Sequence, residues 1–130
     1  ALIPGAELRN DLPMTTNQQP GITGFHAHVY YDSETKPVAA RLRAAIEHEF
    51  DVRMGRWHDR PVGPHPRWSY QVAFAPELFG ALVPWLALRR EGLVIFIHPE
   101  TGDDVADHTD YAIWLGEMLE LDIDALRPGE

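Results

Sequence analysis

Residues 24–31 (GFHAHVYY) alternate strictly along the chain: Phe25, Ala27, Val29 and Tyr31 point one way, and His26, His28 and Tyr30 the other. A period of two predicts a strand with one packed face. Asp32, Ser33 and Thr35 then offer helix caps, and Pro37 suits a first turn. Val38, Leu42 and Ile46 recur every four residues, with Ala39 and Ala45 beside them, so an amphipathic helix runs to about residue 49. Residues 50–57 (FDVRMGRW) read as a second strand. Residues 58–67 (HDRPVGPHPR) hold three prolines and a glycine and read as a loop. Residues 68–74 (WSYQVAF) alternate again. Residues 76–90 are helical, with Pro76 at the start and Gly92 just past the end, and Pro84 should kink or split this helix near residues 80–83. The apolar run 93–98 (LVIFIH) predicts a buried fourth strand. A polar loop over 99–109 and a short helix over 111–119 complete the pattern; Ala112, Leu115 and Leu119 mark one stripe of that helix.

The order β-α-β-β-α-β is the signature of an α+β, ferredoxin-like sandwich: a four-stranded antiparallel sheet with both helices on one face. Residues 1–22 lack periodicity and are expected to form an extended N-terminal arm; residues 23–130 form a single domain. The expected sheet order is 4-1-3-2, with strand 3 parallel to strand 1 and strand 4 antiparallel to it. The end of strand 4, closed by His98, and the start of strand 3, preceded by His65, would then both lie beside the start of strand 1.

That topology turns spacing into chemistry. His26 and His28 share one face of the first strand, and His98, His65 and His108 come from distant segments. The alternation assigns the other face of strand 1 to the helices, so the histidines look to the uncovered side. The tail, the long loop or a second subunit must cover it, and a partly enclosed polar cavity of this kind suits a small ligand. A homodimer is expected on that ground.

Composition narrows the partners. The 130-residue chain carries 11 basic and 20 acidic residues, a net charge of −9, which repels phosphate backbones and anionic membrane surfaces. No nucleic-acid or membrane partner is expected. Residues 1–20 show no basic stretch followed by an apolar one, so no secretory signal is expected and a cytoplasmic location is. The chain has no cysteine, which excludes disulfides, iron–sulfur clusters and thiol nucleophiles, and leaves nitrogen and oxygen to hold any metal.

Each motif has an ordinary structural reading beside the chemical one. His26-Ala27-His28 is a chelating pair or two exposed rings on a sheet. Gly63-Pro64-His65-Pro66 presents a histidine rigidly or is a plain turn. His98 is a ligand or a satisfied core histidine. Glu100, Asp103 and Asp104 are candidate oxygen ligands, since ferrous sites often use two histidines and a carboxylate. Asp107 and His108 suggest an acid–base pair, and Asp110 a helix cap. Arg56, Arg60 and Arg67 flank the expected cleft and can pair with a substrate carboxylate, with Arg67 the preferred candidate. Tyr30 and Tyr70 are candidate substrate-binding residues, with Trp68 a further aromatic wall; core packing is the ordinary role of such rings. His48 falls off the apolar stripe, and His58 is ambiguous.

The segments GFHAHVYYD (24–32), GRWHDRPVGPHPRWSYQVAF (55–74), VPWLALRREGLVIFIHPETGDD (83–104) and DHTDYAIWLG (107–116) together resemble the DOPA dioxygenase family. The resemblance implies a ferredoxin-like fold and extradiol cleavage of a catechol such as DOPA, with molecular oxygen, at a ferrous ion, Fe(II); zinc or another divalent metal could occupy the site on isolation. It implies His26, His28 and His98 as metal ligands and His65 and His108 as proton-handling or substrate-binding groups, with an exchange of His65 into the ligand set left open. Competing readings are a zinc hydrolase on the same histidines, a metal- or ligand-binding module without turnover, and a structural interaction domain.

Overall fold

A computed structural model of the chain describes residues 21–127; the expected arm lies outside them except for Gly21 and Ile22. The first strand, β1 (Gly24–Tyr31), is central in a five-stranded sheet of order β2-β3-β1-β4-β5. Its helix-facing side chains are packed as the alternation requires: Ala27 and Val29 are wholly buried and Tyr31 nearly so. Against them lie α1 (Lys36–Glu49), through Ala39, Leu42 and Ile46, and α2 (Phe79–Arg89), through Leu82 and Leu86. The ferredoxin-like βαββαβ order stands, with one strand more than the four expected.

Strand direction departs from expectation. β3 (Trp68–Phe74) runs antiparallel to β1, with Phe25 opposite Phe74 and Tyr31 opposite Trp68. The reason is topological. The crossover through α1 brings β2 back in the direction of β1, and β2 and β3 pair as antiparallel neighbours, so β3 must oppose β1. The start of β3 therefore lies at the far end of β1.

The second strand is also shorter than the pattern suggested. β2 spans only Arg53–Met54. Met54 pairs with Val72, and the next pairing is an isolated bridge between His58 and Ser69. Four steps along one strand face three along the other, which is a bulge. Gly55 sits at it, so close to β3 that a Cβ there would meet the Gln71 carbonyl at 3.2 Å. The extra residue reverses the facing of the chain beyond it and turns His58 toward the side without helices.

Helix α2, preceded by a 3₁₀ turn (Pro76–Leu78), runs unbroken through Pro84 rather than splitting at residues 80–83. The carbonyl that loses its donor belongs to Gly80, an exposed residue, so water can satisfy it. β4 (Ile95–Glu100) continues two residues beyond the expected end and pairs antiparallel with β1, so His98 lies within the strand. Pro99 sits where β5 no longer flanks β4, so its missing N–H leaves no partner on that side short of a donor.

The tail corrects a helix expectation. Residues 104–107 form a short helix, α3 (Asp104–Asp107), and Ile113–Leu115 form β5, paired with β4. The stripe of Ala112, Leu115 and Leu119 was too sparse to hold a helix. Ile113 and Leu115 instead pack toward the main core, while Trp114 joins Tyr30, Val94 and Phe96 in a second cluster on the opposite face. Among the described residues, no helix is long and apolar enough to cross a membrane.

Candidate metal centre

The register of the sheet assembles the site. His26 and His98 are direct cross-strand partners on β1 and β4, and His28 pairs with Phe96. Directly opposed residues project to one face, here the side without helices. The Nε2 atoms of His28 and His98 lie 3.1 Å apart, and His26 brings a third ring nitrogen so that all three fall within 4.8 Å of one another. Nitrogens bound to one cation at about 2.1 Å in neighbouring positions are about 3.0–3.4 Å apart, so the 3.1 Å edge fits a shared ion.

The second nitrogen of each ring supports that reading. His98 Nδ1 donates to the Pro99 carbonyl at 2.9 Å, since a carbonyl can only accept, and this leaves the Nε2 lone pair facing the centre. His26 Nδ1 is 3.2 Å from Glu100 Oε1, a carboxylate–histidine contact of the kind that orients a metal ligand. Glu100 also lies 3.5 Å from His98 Nδ1. Burial, then neighbouring histidines, hold the His28 ring well below its ordinary pKa, and burial brings His98 down to about 3. His26 is lowered by burial first, then by His108 and Arg53. Neutral imidazoles are the form that binds metals.

Two further histidines flank the three. The His65 ring centre is 4.2 Å from that of His28, and the His108 ring centre 4.1 Å from that of His98. His65 does not arrive by strand alignment. Its loop folds back over the sheet face, turned by the bond from His65 N–H to the Val62 carbonyl and by Gly63 at φ 54°, and tied to the tail where Asp122 N–H donates to the Pro64 carbonyl. Tyr30 Oη is 2.7 Å from His65 Nδ1, and burial lowers His65 to about 4. His108 follows α3, which Asp103 caps by accepting from Ala106 N–H. His108 Nδ1 donates to the Asp104 carbonyl at 2.7 Å, leaving Nε2 free.

Several expectations need correction. Tyr70 is no substrate contact: it faces the helices beside Val29, is wholly buried, and donates its hydroxyl to the Ala39 carbonyl at 2.8 Å. Trp68 shares that face. Asp107 does not partner His108; it is buried and accepts from Thr101 N–H and Oγ1, which clamps the turn after β4. Asp110 caps no helix, because none begins there. Arg67 lies at the rim, half-exposed and paired with Glu117 at 3.2 Å. The chain's own tail covers the Tyr30, Val94 and Phe96 part of the histidine face, through Trp114, Leu119 and Leu121.

Sequence reasoning missed the apolar wall. Phe96 stacks on Trp114 with ring centres 4.5 Å apart and also lies against His28, His98 and His108. The period of two within β4, which puts Phe96 on the face of His98, was the signal available. His58 reaches this face only through the bulge.

A profile of the Dopa 4,5-dioxygenase family matches residues 25–125. An uncharacterised 21.2 kDa protein of Botryotinia fuckeliana is 38% identical over 120 residues, 82% of this chain and 66% of that protein. A DOPA 4,5-dioxygenase of Amanita muscaria is 28% identical over 114 residues, 78% of this chain and 49% of the relative. The chain thus spans about half to two thirds of the length of these curated relatives. A crystal structure from Nostoc punctiforme, provisionally described as a dioxygenase, superposes with a TM-score of 0.81 at 56% identity, over 82% of this chain and 92% of that one. With the profile spanning nearly the whole described domain and the histidine face in place, this chain belongs to the Dopa 4,5-dioxygenase family.

Proposed function

We propose that this protein is an extradiol dioxygenase that opens a catechol ring with molecular oxygen at a ferrous ion held by His26, His28 and His98. The observation that carries it is the 3.1 Å approach of two buried, neutral imidazole nitrogens with a third beside them. Iron is favoured over zinc because dioxygen chemistry needs a redox-active ion, and zinc has no accessible redox state. Bound there, a ferrous ion would supply adjacent positions for the diol oxygens and dioxygen, and a route for electrons between them.

The protein's own groups do the rest. Glu100 fixes the His26 ring and thereby the direction of its lone pair. When His65 Nδ1 donates to Tyr30 Oη, His65 Nε2 is left to take a diol proton, and the incoming catecholate charge opposes the burial that weakens this base. His108 Nε2, free because Nδ1 is committed to Asp104, is the second place a proton can rest. Phe96 and Trp114 form an apolar wall that limits water beside the reacting ring.

The test is anaerobic loading with ferrous iron, followed by oxygen uptake and yellow-product formation across a panel of catechols. Oxygen consumption stoichiometric with ring opening is expected. Tight metal binding with no oxygen uptake on any catechol would leave a binding module instead, and anaerobic hydrolysis with zinc would favour a hydrolase.

A further inference from the structure

Two consecutive tyrosines close β1, and their side chains lie on opposite faces of the sheet. Tyr30 is on the histidine face, with its hydroxyl 2.7 Å from His65 Nδ1. Tyr31 is in the core on the helix face. Its hydroxyl is 2.8 Å from Asp59 Oδ1 and 3.1 Å from the His58 carbonyl, so its single proton goes to one of them or is divided between both. One residue of β1 thus holds the start of the loop that carries His65, and its neighbour holds His65 itself. Between these two holds the chain passes from one side of the sheet to the other.

The hold on the helix side is reinforced. Asp59 Oδ2 accepts from Lys36 Nζ at 2.5 Å, at the first residue of α1. The Lys36 ammonium and the Arg43 guanidinium stand 5.1 and 5.0 Å from the centre of the Trp57 ring, and the Tyr31 ring meets Trp57 edge to face at 5.2 Å. Backbone pairing offers less here: beyond the bulge, the His58–Ser69 bridge stands isolated. Only five residues, Arg60-Pro61-Val62-Gly63-Pro64, separate Asp59 from His65. Pro61 and Pro64 have locked φ angles, and the bond from His65 N–H to the Val62 carbonyl closes the turn over 62–65. A connection this short and stiff has little slack, so a displacement at Asp59 is carried to the His65 ring.

We propose that Tyr31 is a positioning residue for the reaction: by holding Asp59 and the His58 carbonyl on the helix face, it fixes where His65 stands against Tyr30 and His28 on the other face. This rests on the dioxygenase reading, in which His65 takes the diol proton, and it extends the machinery of the site through the sheet to a residue that touches neither metal nor substrate.

The experiment uses Tyr31→Phe, which removes only the hydroxyl, with Tyr70→Phe as the control. Tyr70 also loses a buried hydroxyl bond on the same face, but that bond runs to Ala39 in α1 and not to the loop. On the iron-loaded full chain with 4-methylcatechol, Tyr31→Phe is expected to lower kcat by about 10- to 100-fold, the scale of a small misplacement of a reacting group, with ferrous affinity unchanged. Asp59→Ala should reproduce the loss, and Asp59→Asn, which keeps a hydrogen-bonding partner for Tyr31, should restore most of it. Imidazole nitrogen NMR of the metal-free protein reads the same device without turnover: the His65 Nδ1 signal, which reports the bond to Tyr30, should shift in Tyr31→Phe and Asp59→Ala and stay in place in Tyr70→Phe. An unmoved His65 signal in Tyr31→Phe overturns the assignment, as does an equal shift in Tyr70→Phe, which would mark a general loosening of the core. If Tyr31→Phe does not fold, Asp59→Ala, altered at an exposed side chain, decides by the same signal. If the wild type opens no catechol ring, the dioxygenase reading fails by itself, and the His65 signal still decides for Tyr31.

Discussion

The Nε2 atoms of His28 and His98 meet at 3.1 Å across β1 and β4, in a layer from which solvent is almost wholly excluded. His98 spends its proton on the Pro99 carbonyl, so its Nε2 is an acceptor; His28 must either donate to it or share a cation with it. The two states differ in tautomer: His28 carries its proton on Nε2 in the first and on Nδ1 in the second, and the ring is neutral in both.

Replacing His28 or His98 with Ala should abolish high-affinity binding of a divalent ion, while Glu100→Gln, which keeps the ligands but weakens the hold on His26, should cost about 10- to 100-fold. Isothermal titration of the metal-free protein reads both, with circular dichroism confirming that each variant folds. Equal affinity in His28→Ala and wild type would remove His28 from the ligand set.

Tyr30→Phe keeps the ring on Trp114 but removes the hydroxyl from His65 Nδ1. A loss of kcat of about 10- to 100-fold with metal affinity preserved is expected, the scale of an assisted proton transfer, along with about 1 kcal/mol of stability. A kcat equal to wild type would show that His65 needs no partner at Nδ1.

Tyr70→Phe should behave oppositely. Its hydroxyl serves the Ala39 carbonyl inside the core, so the change should cost about 1 kcal/mol in denaturant unfolding and leave KM for catechols unaltered. A raised KM would reopen the helix-covered face as a substrate surface.

The metal-free protein should lose stability in acid. The folded-state pKa values of His65 and His98 are depressed to about 4 and about 3, below an unfolded value of 6.5, and His28 is depressed too. Between those limits the unfolded chain binds more protons, so the stabilisation these rings give is complete above about pH 6.5 and drains away as pH falls toward 3. Glu100, raised by burial and by Asp107 and Asp104, works in the opposite direction and blunts the slope. Tm measured against pH on the metal-free chain should fall through this window. A flat profile down to pH 4 would mean that the histidines are already protonated in the folded state.

The alternation over 24–31 determined more than any other stretch. A strict period of two leaves a central strand only one way to face, so His26, His28 and Tyr30 were committed to the side opposite Ala27 and Val29 before any partner was known. The same logic fixed the stripe of α1 and the β-α-β-β-α-β order, and the apolar run before His98 marked β4 as buried. These features are local, carried by spacing alone. Strand direction, the β2 bulge and the tail are not local. β3 opposes β1 because of how the crossover and the β2–β3 pairing close the chain, and His58 changes face because a single extra residue is absorbed opposite Gln71. Ile113–Leu115 became a strand because β4 offered a free edge and a gap over Phe96 that Trp114 fills. Tyr70 and Tyr30, alike in composition, parted between core and site by register. The residue types that can hold a metal were thus written along the chain, whereas which of them meet depended on hydrogen-bond pairing between segments dozens of residues apart, an interaction no short window of sequence contains.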